Sequence, residues 1–174
     1  GNTFIGELDK IQKDTWIILE ASSFQIEQTK TFRPFLGCLM NVAEDHFDRH
    51  SSMETYAAAK KRLFANQNET DIAVLNYDAN FCRDAVGEIK AKKFFFSHSS
   101  AGRKGVHIKG TEIFSNLSGK EEKIAEISGT RLWGKGNEEN MMASVLIGLL
   151  CGISDKNIIR KTMNEFIPLP HRLE

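Results

Sequence analysis

The sequence predicts an α/β fold: a largely parallel sheet flanked by helices, with an antiparallel extension. Three observations carry that expectation. Short apolar, β-rich runs alternate with helix-patterned segments through the first half of the chain, the order that builds parallel strands joined by helical crossovers. Acids and imidazoles crowd into residues 41–62, at the end of one such run, and the carboxyl edge of an open α/β sheet is where ligands sit. From residue 99 to 127 the pattern changes to Gly, Ser and Lys turns between short alternating runs, which predicts hairpins.

The elements follow in order. Residues 16–19, Trp-Ile-Ile-Leu, form the first predicted strand, which closes on Glu20 and opens into Ala-Ser-Ser-Phe-Gln. Residues 36–42 are largely apolar and predict a buried second strand. A helix over 53–64 starts from Ser51 or Ser52 as its cap, with Glu54 in the first turn. A strand over 72–76 and a helix from Asp78 to about Val86 repeat the unit, and 94–97 is a fourth strand. Val106-His107-Ile108 and Glu112-Ile113-Phe114 are the alternating runs of the hairpin region. A strongly apolar helix over 137–151 stops at Gly152, and an amphipathic one over 154–166 is capped by Ser154 and ended by Pro168.

Size and composition narrow the function classes. The 174 residues, 41% hydrophobic and 26% charged, suffice for one core and one domain. Lys plus Arg number 23 and Asp plus Glu 23, so no cationic excess points to nucleic acid or an anionic membrane. Cys38, Cys82 and Cys151 are widely spaced with no C-x-x-C, which argues against a disulfide framework or structural zinc and suits a reducing cytoplasm. The longest uncharged apolar run, 141–153, is too short to span a bilayer. The start at Gly1 and the stop at Glu174, straight after Pro170-His171-Arg172-Leu173, read as the ends of an excised domain.

Glu20 alone is ordinarily a solvated charge. If the strands over 16–19 and 36–42 are neighbours, however, Glu20, Asp45 and His46 share one sheet edge. Two hard oxygen donors and an imidazole there suit Mg²⁺. His46 and His50 are four apart but lack the glutamate spacing of a zinc-protease helix. Lys60 follows three alanines and lies one turn after Tyr56 on the same face, although a lone helical lysine is usually solvated. Asn137 reads as an N-cap, whereas Asn140 is an amide carried into an oily helix, where leaving it unpaired costs roughly 1–3 kcal/mol. A nucleotide base would satisfy it. Arg172 can reach phosphate or stack on a base, against the ordinary solvated role of a terminal arginine.

Together, Glu20-Ala-Ser-Ser-Phe-Gln25, Asn41-Val-Ala-Glu-Asp-His46-Phe-Asp-Arg-His50, Ser52-Met-Glu-Thr-Tyr56-Ala-Ala-Ala-Lys60, Asn137-x-x-Asn140 and Leu169-Pro-His-Arg-Leu-Glu174 resemble the central, ATP-binding domain of the Mur ligases. The five motifs run in order over essentially the whole chain. The resemblance implies a P-loop-type central domain and an ATP-dependent amide ligase working through an acyl phosphate. Within the family, Ser-Ser-Phe-Gln and Pro-His-Arg-Leu-Glu are similar to the member that adds D-glutamate to UDP-N-acetylmuramoyl-L-alanine in peptidoglycan synthesis. By the same resemblance, Glu20 would hold Mg²⁺ at the ATP phosphates and His46 a second Mg²⁺ nearer the substrate. Lys60 would be carbamylated and support that second metal. Asn2, Ser22 and Gln25 would lie on the substrate side, and Asn137, Asn140 and Arg172 on the adenine and ribose-phosphate side. No nucleic acid, membrane or obligate protein partner is implied.

The departures are as informative. The family's G-T-x-G-K-[ST]-T phosphate loop is absent, and its backbone amides and lysine are what cradle the phosphates; its natural place is upstream of Gly1. The chain is therefore expected to lack that loop, the N-terminal domain and the C-terminal domain, and to be inactive alone. Gly136 stands where the family's G-x-H-N-x-x-N has histidine, Pro168 replaces a glycine, and the start at Gly1-Asn2-Thr3 follows the family only loosely. The alternatives are a sister Mur or folate polyglutamate ligase, and a non-catalytic nucleotide-sugar binding protein.

Overall fold

A computed structural model describes residues 4–41, 52–99, 102–132 and 134–168. Its centre is a six-stranded sheet in chain order: β1 (Leu36–Leu39), β2 (Ile72–Asn76), β3 (Lys92–Ser97), β4 (Gly105–Lys109), β5 (Glu112–Ser115) and β6 (Glu122–Glu126). Strands β1 to β4 pair in parallel, and β4, β5 and β6 antiparallel, as the α/β reading with an antiparallel extension requires. The helices are α1 (Ser23–Glu27), α2 (Met53–Lys61), α3 (Asn80–Ala85), α4 (Lys135–Leu150) and α5 (Lys156–Glu165).

Strand β2 shows why the sheet is covered on both faces. Its alternate residues point to opposite sides: Val74 joins Phe96, Ile113, Ile124, Met142 and Leu146 in the core under α4 and α5. Ala73 and Leu75 join Leu39, Phe64, Cys82 and Ala85 on the other side. All three β2 residues are fully buried, so the continuous apolar run marks a strand sandwiched between helical layers.

The step from β3 to β4 is parallel, which the expected hairpin pattern did not foresee. Parallel neighbours ordinarily need a crossover of a dozen or more residues. Here the pairing covers only Phe95↔Gly105 to Ser97↔His107, so the chain has to step back no more than the length of a few residues. Glycine makes that close return possible: a Cβ at Gly105 would lie 1.7 Å from the Phe95 carbonyl oxygen.

At the amino ends of β1 and β2, Arg33 donates to Asp71 through Nε at 2.7 Å and Nη2 at 3.1 Å. Buried Gln67 donates its Nε2 to the Pro34 and Ile72 carbonyls, each at 3.0 Å. These contacts fix the strand entries and leave the carboxyl ends to the loops.

Three expectations need correction. Residues 16–19 form no strand, and Trp16, Ile17, Ile18 and Leu19 are all exposed. An extended run needs a ladder partner for its backbone groups, and among the described residues β1 is paired only with β2; Trp16 instead lies against Phe35, ring centroids 5.8 Å apart. The condition for Glu20 to share a sheet edge with the end of β1 is thus not met among the described residues. Helix α5 is capped by Asp155, whose carboxylate accepts from the Asn157 amide at 2.8 Å, not by Ser154; the carboxylate adds charge favourable to the helix N-terminus. Helix α4 begins at Lys135 with Gly134 as N-cap, which displaces Asn137 from the capping position.

Candidate functional site

Of the described residues expected to act, Lys60 lies at the carboxyl end of β1, and Asn137 and Asn140 lie in the first turn of α4, whose Glu138 meets His98 just past β3. Helix α2 is started by a capping box in which Ser52 Oγ accepts from the Thr55 amide at 3.3 Å and Thr55 Oγ1 accepts from the Ser52 amide at 3.2 Å. Its buried Ala57 and Ala59 let it lie close. One turn past buried Tyr56, the Lys60 ammonium sits 4.7 Å from the Tyr56 ring centroid and donates to the Asn41 carbonyl at 3.3 Å. The expected shared face of Tyr56 and Lys60 is therefore realised, and it delivers the amine to the end of β1.

Buried Cys82 adjoins this corner. Its thiol lies 3.6 Å from the Leu39 carbonyl oxygen and is pushed up to about 11, chiefly by burial. The Asn76 backbone and the charges of Lys60 and Arg83 oppose that rise while Glu139 adds to it, so Lys60 and the first turn of α4 act on one buried group. Burial likewise pushes Cys38 up to about 12, with Cys82 adding to the effect. Neither thiol has the depressed value of a nucleophile.

The first turn of α4 carries the two asparagines. Asn137 is half-buried and its amide donates to the Gly134 carbonyl at 3.0 Å. Asn140 is exposed, so it is not an amide trapped among apolar side chains; Met141, Met142 and Val145 take the buried face.

Elsewhere the placements are mixed. Glu20 is exposed. Ser22 and Gln25 form a capping box on α1: Gln25 Oε1 accepts from the Ser22 amide at 2.9 Å, and Ser22 Oγ from the Gln25 amide at 3.3 Å. Asn2, Asp45, His46 and Arg172 lie outside the described residues. Among the described residues, no group of three or more His, Cys, Asp and Glu could hold a metal ion, and no helix is long and apolar enough to cross a membrane.

One cluster escaped sequence reasoning. Asp78, just past β2, accepts from the His98 amide at 2.7 Å and from Ser97 Oγ at 2.7 Å. The His98 ring, just past β3, stands between Asp78 Oδ2 at 3.0 Å and Glu138 Oε2 of α4 at 3.1 Å. Burial pushes the Asp78 carboxyl up, but the His98 amide, the Ser97 hydroxyl and the His98 ring together hold it below its ordinary value. The rule that flagged the end of the 36–42 run, applied to the ends of β2 and β3, would have found both residues.

Comparison with known proteins finds a family and several relatives. Residues 3–148 match the family described as Mur ligase middle domain. A UDP-N-acetylmuramoylalanine–D-glutamate ligase from Pelotomaculum thermopropionicum is 37% identical over 174 residues, covering 100% of this chain and 38% of that protein. One of the same name from Koribacter versatilis is 37% identical over 161 residues, covering 92% of this chain and 35% of its own length. The chain thus spans little more than a third of these curated relatives. Among solved structures, MurF from Acinetobacter baumannii superposes with a TM-score of 0.60 at 16% identity, over 82% of this chain and 31% of that one. MurF ligase from Thermotoga maritima, in complex with ADP, does so with a TM-score of 0.57 at 18% identity, over 80% of this chain and 32% of that one. At these identities the structural likeness establishes the fold.

Proposed function

The chain belongs to the Mur ligase family through its middle domain, and from that membership we propose that it is the ATP-binding core of the ligase that adds D-glutamate to UDP-N-acetylmuramoyl-L-alanine. The observation that carries the reading is the match, over all 174 residues at 37% identity, to a relative named for that reaction. The ADP-bound relative supports nucleotide binding by this fold.

In the proposed reaction the substrate carboxylate attacks the γ-phosphorus of ATP, giving an acyl phosphate and ADP. The amine of D-glutamate then attacks the acyl carbon, loses a proton, and phosphate leaves as the amide forms. Both reactants of the first step are anionic, so the site must offset their repulsion. Mg²⁺, when bound, would supply that positive charge. Glu20 would hold one Mg²⁺ at the ATP phosphates, and His46 and a carbamylated Lys60 a second nearer the substrate. The fit rests on donor chemistry: Glu20 is an exposed carboxylate, and the Lys60 amine, set against the Asn41 carbonyl, gains two oxygens and loses its positive charge when it takes up CO₂ and releases protons. Asn137, Asn140 and Arg172 would position the nucleotide, and Asn2, Ser22 and Gln25 the acceptor substrate. Using Ser22 and Gln25 in this way requires the α1 cap to share its polar atoms with the ligand. The phosphate loop and two further domains would lie outside residues 1–174 in a longer protein.

The test is phosphate release by the full-length protein with ATP, Mg²⁺ and UDP-N-acetylmuramoyl-L-alanine, comparing D-glutamate, L-glutamate, L-lysine and no amino acid. Release should require D-glutamate and fall about a hundredfold in Lys60→Ala, the scale of a lost preorganised electrostatic group. A carbamate signal from ¹³C-bicarbonate should vanish in the same variant. Release driven by another amino acid would reassign the acceptor.

A further inference from the structure

We infer that His98 is a positioning residue, which clamps the first turn of α4 to the carboxyl ends of β2 and β3 and so sets the nucleotide-facing Asn137 and Asn140. The inference rests on the nucleotide role proposed above for those two amides. The first turn of α4 has little to hold it from within. Its N-cap is Gly134, no side chain caps it, and Gly136 follows in the helix, where glycine has the most backbone freedom to lose. The tie comes from outside the helix. Asp78 is fixed to the sheet by the Ser97 hydroxyl and the His98 amide. The His98 ring faces Asp78 at 3.0 Å and, through its far nitrogen, Glu138 at 3.1 Å; the carboxylates only accept, so both contacts are hydrogen bonds when each ring nitrogen carries a proton.

Glu138 lies between Asn137 and Asn140 in the turn, on the side of the helix that leads to buried Met141, Met142 and Val145. Releasing it frees the start of α4 to shift while the helix body stays anchored in the core. Both amides would move together, and a displacement of about 1 Å at a positioning group is enough to cost a site dearly. The effect belongs to binding of the nucleotide rather than to the bond-making steps, because none of the three residues is placed at the reacting atoms.

The test uses the full-length protein with His98→Phe, which keeps a ring and removes both nitrogens, Glu138→Leu, and Glu138→Gln, which keeps an acceptor oxygen. His98→Phe and Glu138→Leu should each raise KM for ATP by about tenfold, the scale of one hydrogen bond to a charged group. Their kcat should stay within about twofold, the double variant should be no worse than either single one, and Glu138→Gln should restore KM. Hydrogen exchange should quicken in residues 135–140 and nowhere in β2 or β3. An unchanged KM, or a fall in kcat matching a global loss of stability, would overturn the inference. Should the unmodified protein release no phosphate from ATP, the ligase reading fails, and exchange alone then decides the clamp. Faster exchange confined to 135–140 in His98→Phe supports it, and unchanged exchange sinks it.

Discussion

The two edges of the parallel strands are built from the same kinds of side chain and put them to opposite uses. At the amino edge, Arg33 and Asp71 bond each other, Gln67 closes on two backbone carbonyls, and Asn66 Nδ2 donates to the Lys30 and Phe32 carbonyls, each at 3.0 Å. Each of these bonds returns to a strand entry or to the loop before it. At the carboxyl edge, Lys60 and Asn137 are only half-buried and Asn140 is exposed, and the side-chain bonds that fasten the strand ends are made by half-buried Asp78 and His98 with buried Ser97. Residue type alone does not distinguish a fastening from a site. The difference lies in burial: Gln67 and Asp71 are buried, whereas Lys60, Asp78, His98 and Asn137 are half-buried and Asn140 is exposed.

That contrast predicts where damage separates stability from chemistry. The largest effect at the amino edge belongs to Gln67→Ala. Gln67 is 2% exposed, and its loss removes two bonds donated to the carbonyls of half-buried Pro34 and Ile72, which costs up to roughly 1–3 kcal/mol for each group left unsatisfied. Urea denaturation should show that loss, while activity per folded molecule stays within about twofold. A large fall in kcat would break the division between the edges.

A smaller, pH-dependent effect belongs to Asp71→Asn. The Arg33 guanidinium first, and the Asn68 amide after it, hold the Asp71 carboxyl below its ordinary value against the upward push of burial. A carboxylate whose folded value is depressed contributes stability above its unfolded pKa of about 4, and that contribution is lost as pH falls through the lower folded value. Urea midpoints measured from about pH 6 downward should therefore fall less steeply in Asp71→Asn than in the unmodified protein. The variant should also be less stable at neutral pH. Asp78 is depressed in the same direction, so part of the acid limb should survive the substitution.

How far this was legible from sequence follows the same division. Strand 72–76 was predicted to the residue, because a run buried on both faces is continuously apolar. Helix α2 was legible from Ser52 and the hydrophobic spacing after it, and α4 from its apolar length and from Gly152, which adopts φ 93° just after the C-cap. The run 16–19 has strand composition but no strand pairing, since propensity reports that a segment can join a ladder and not which neighbour takes it. Asn137 has the chemistry of an N-cap, yet the cap lies three residues earlier, at Gly134, whose φ of 90° turns the chain. The Asp78–His98–Glu138 clamp draws its members from positions up to 60 residues apart in a 174-residue chain, and no spacing rule joins such positions before the strands are ordered.

The smallest prediction tests the open side of the carboxyl edge. Gly136 stands where the resembling motif carries histidine, and a Cβ built on it meets no atom within 4 Å. Gly136→Ala should therefore enter without a clash and stabilise the domain by up to about 0.5–1 kcal/mol, because glycine loses more backbone entropy than alanine on joining a helix. Gly136→His should also fold, since its side chain can leave into the same open space. A gain in the urea midpoint from Gly136→Ala, with KM for ATP unchanged, would show that the space beside the first turn of α4 is free of fold contacts and that the glycine serves no packing purpose. A loss of stability would mean instead that the backbone at 136 needs a freedom only glycine provides. The clamp at His98 would then be holding a deliberately loose turn, and Gly136→Ala should add to the KM defect of His98→Phe instead of offsetting it.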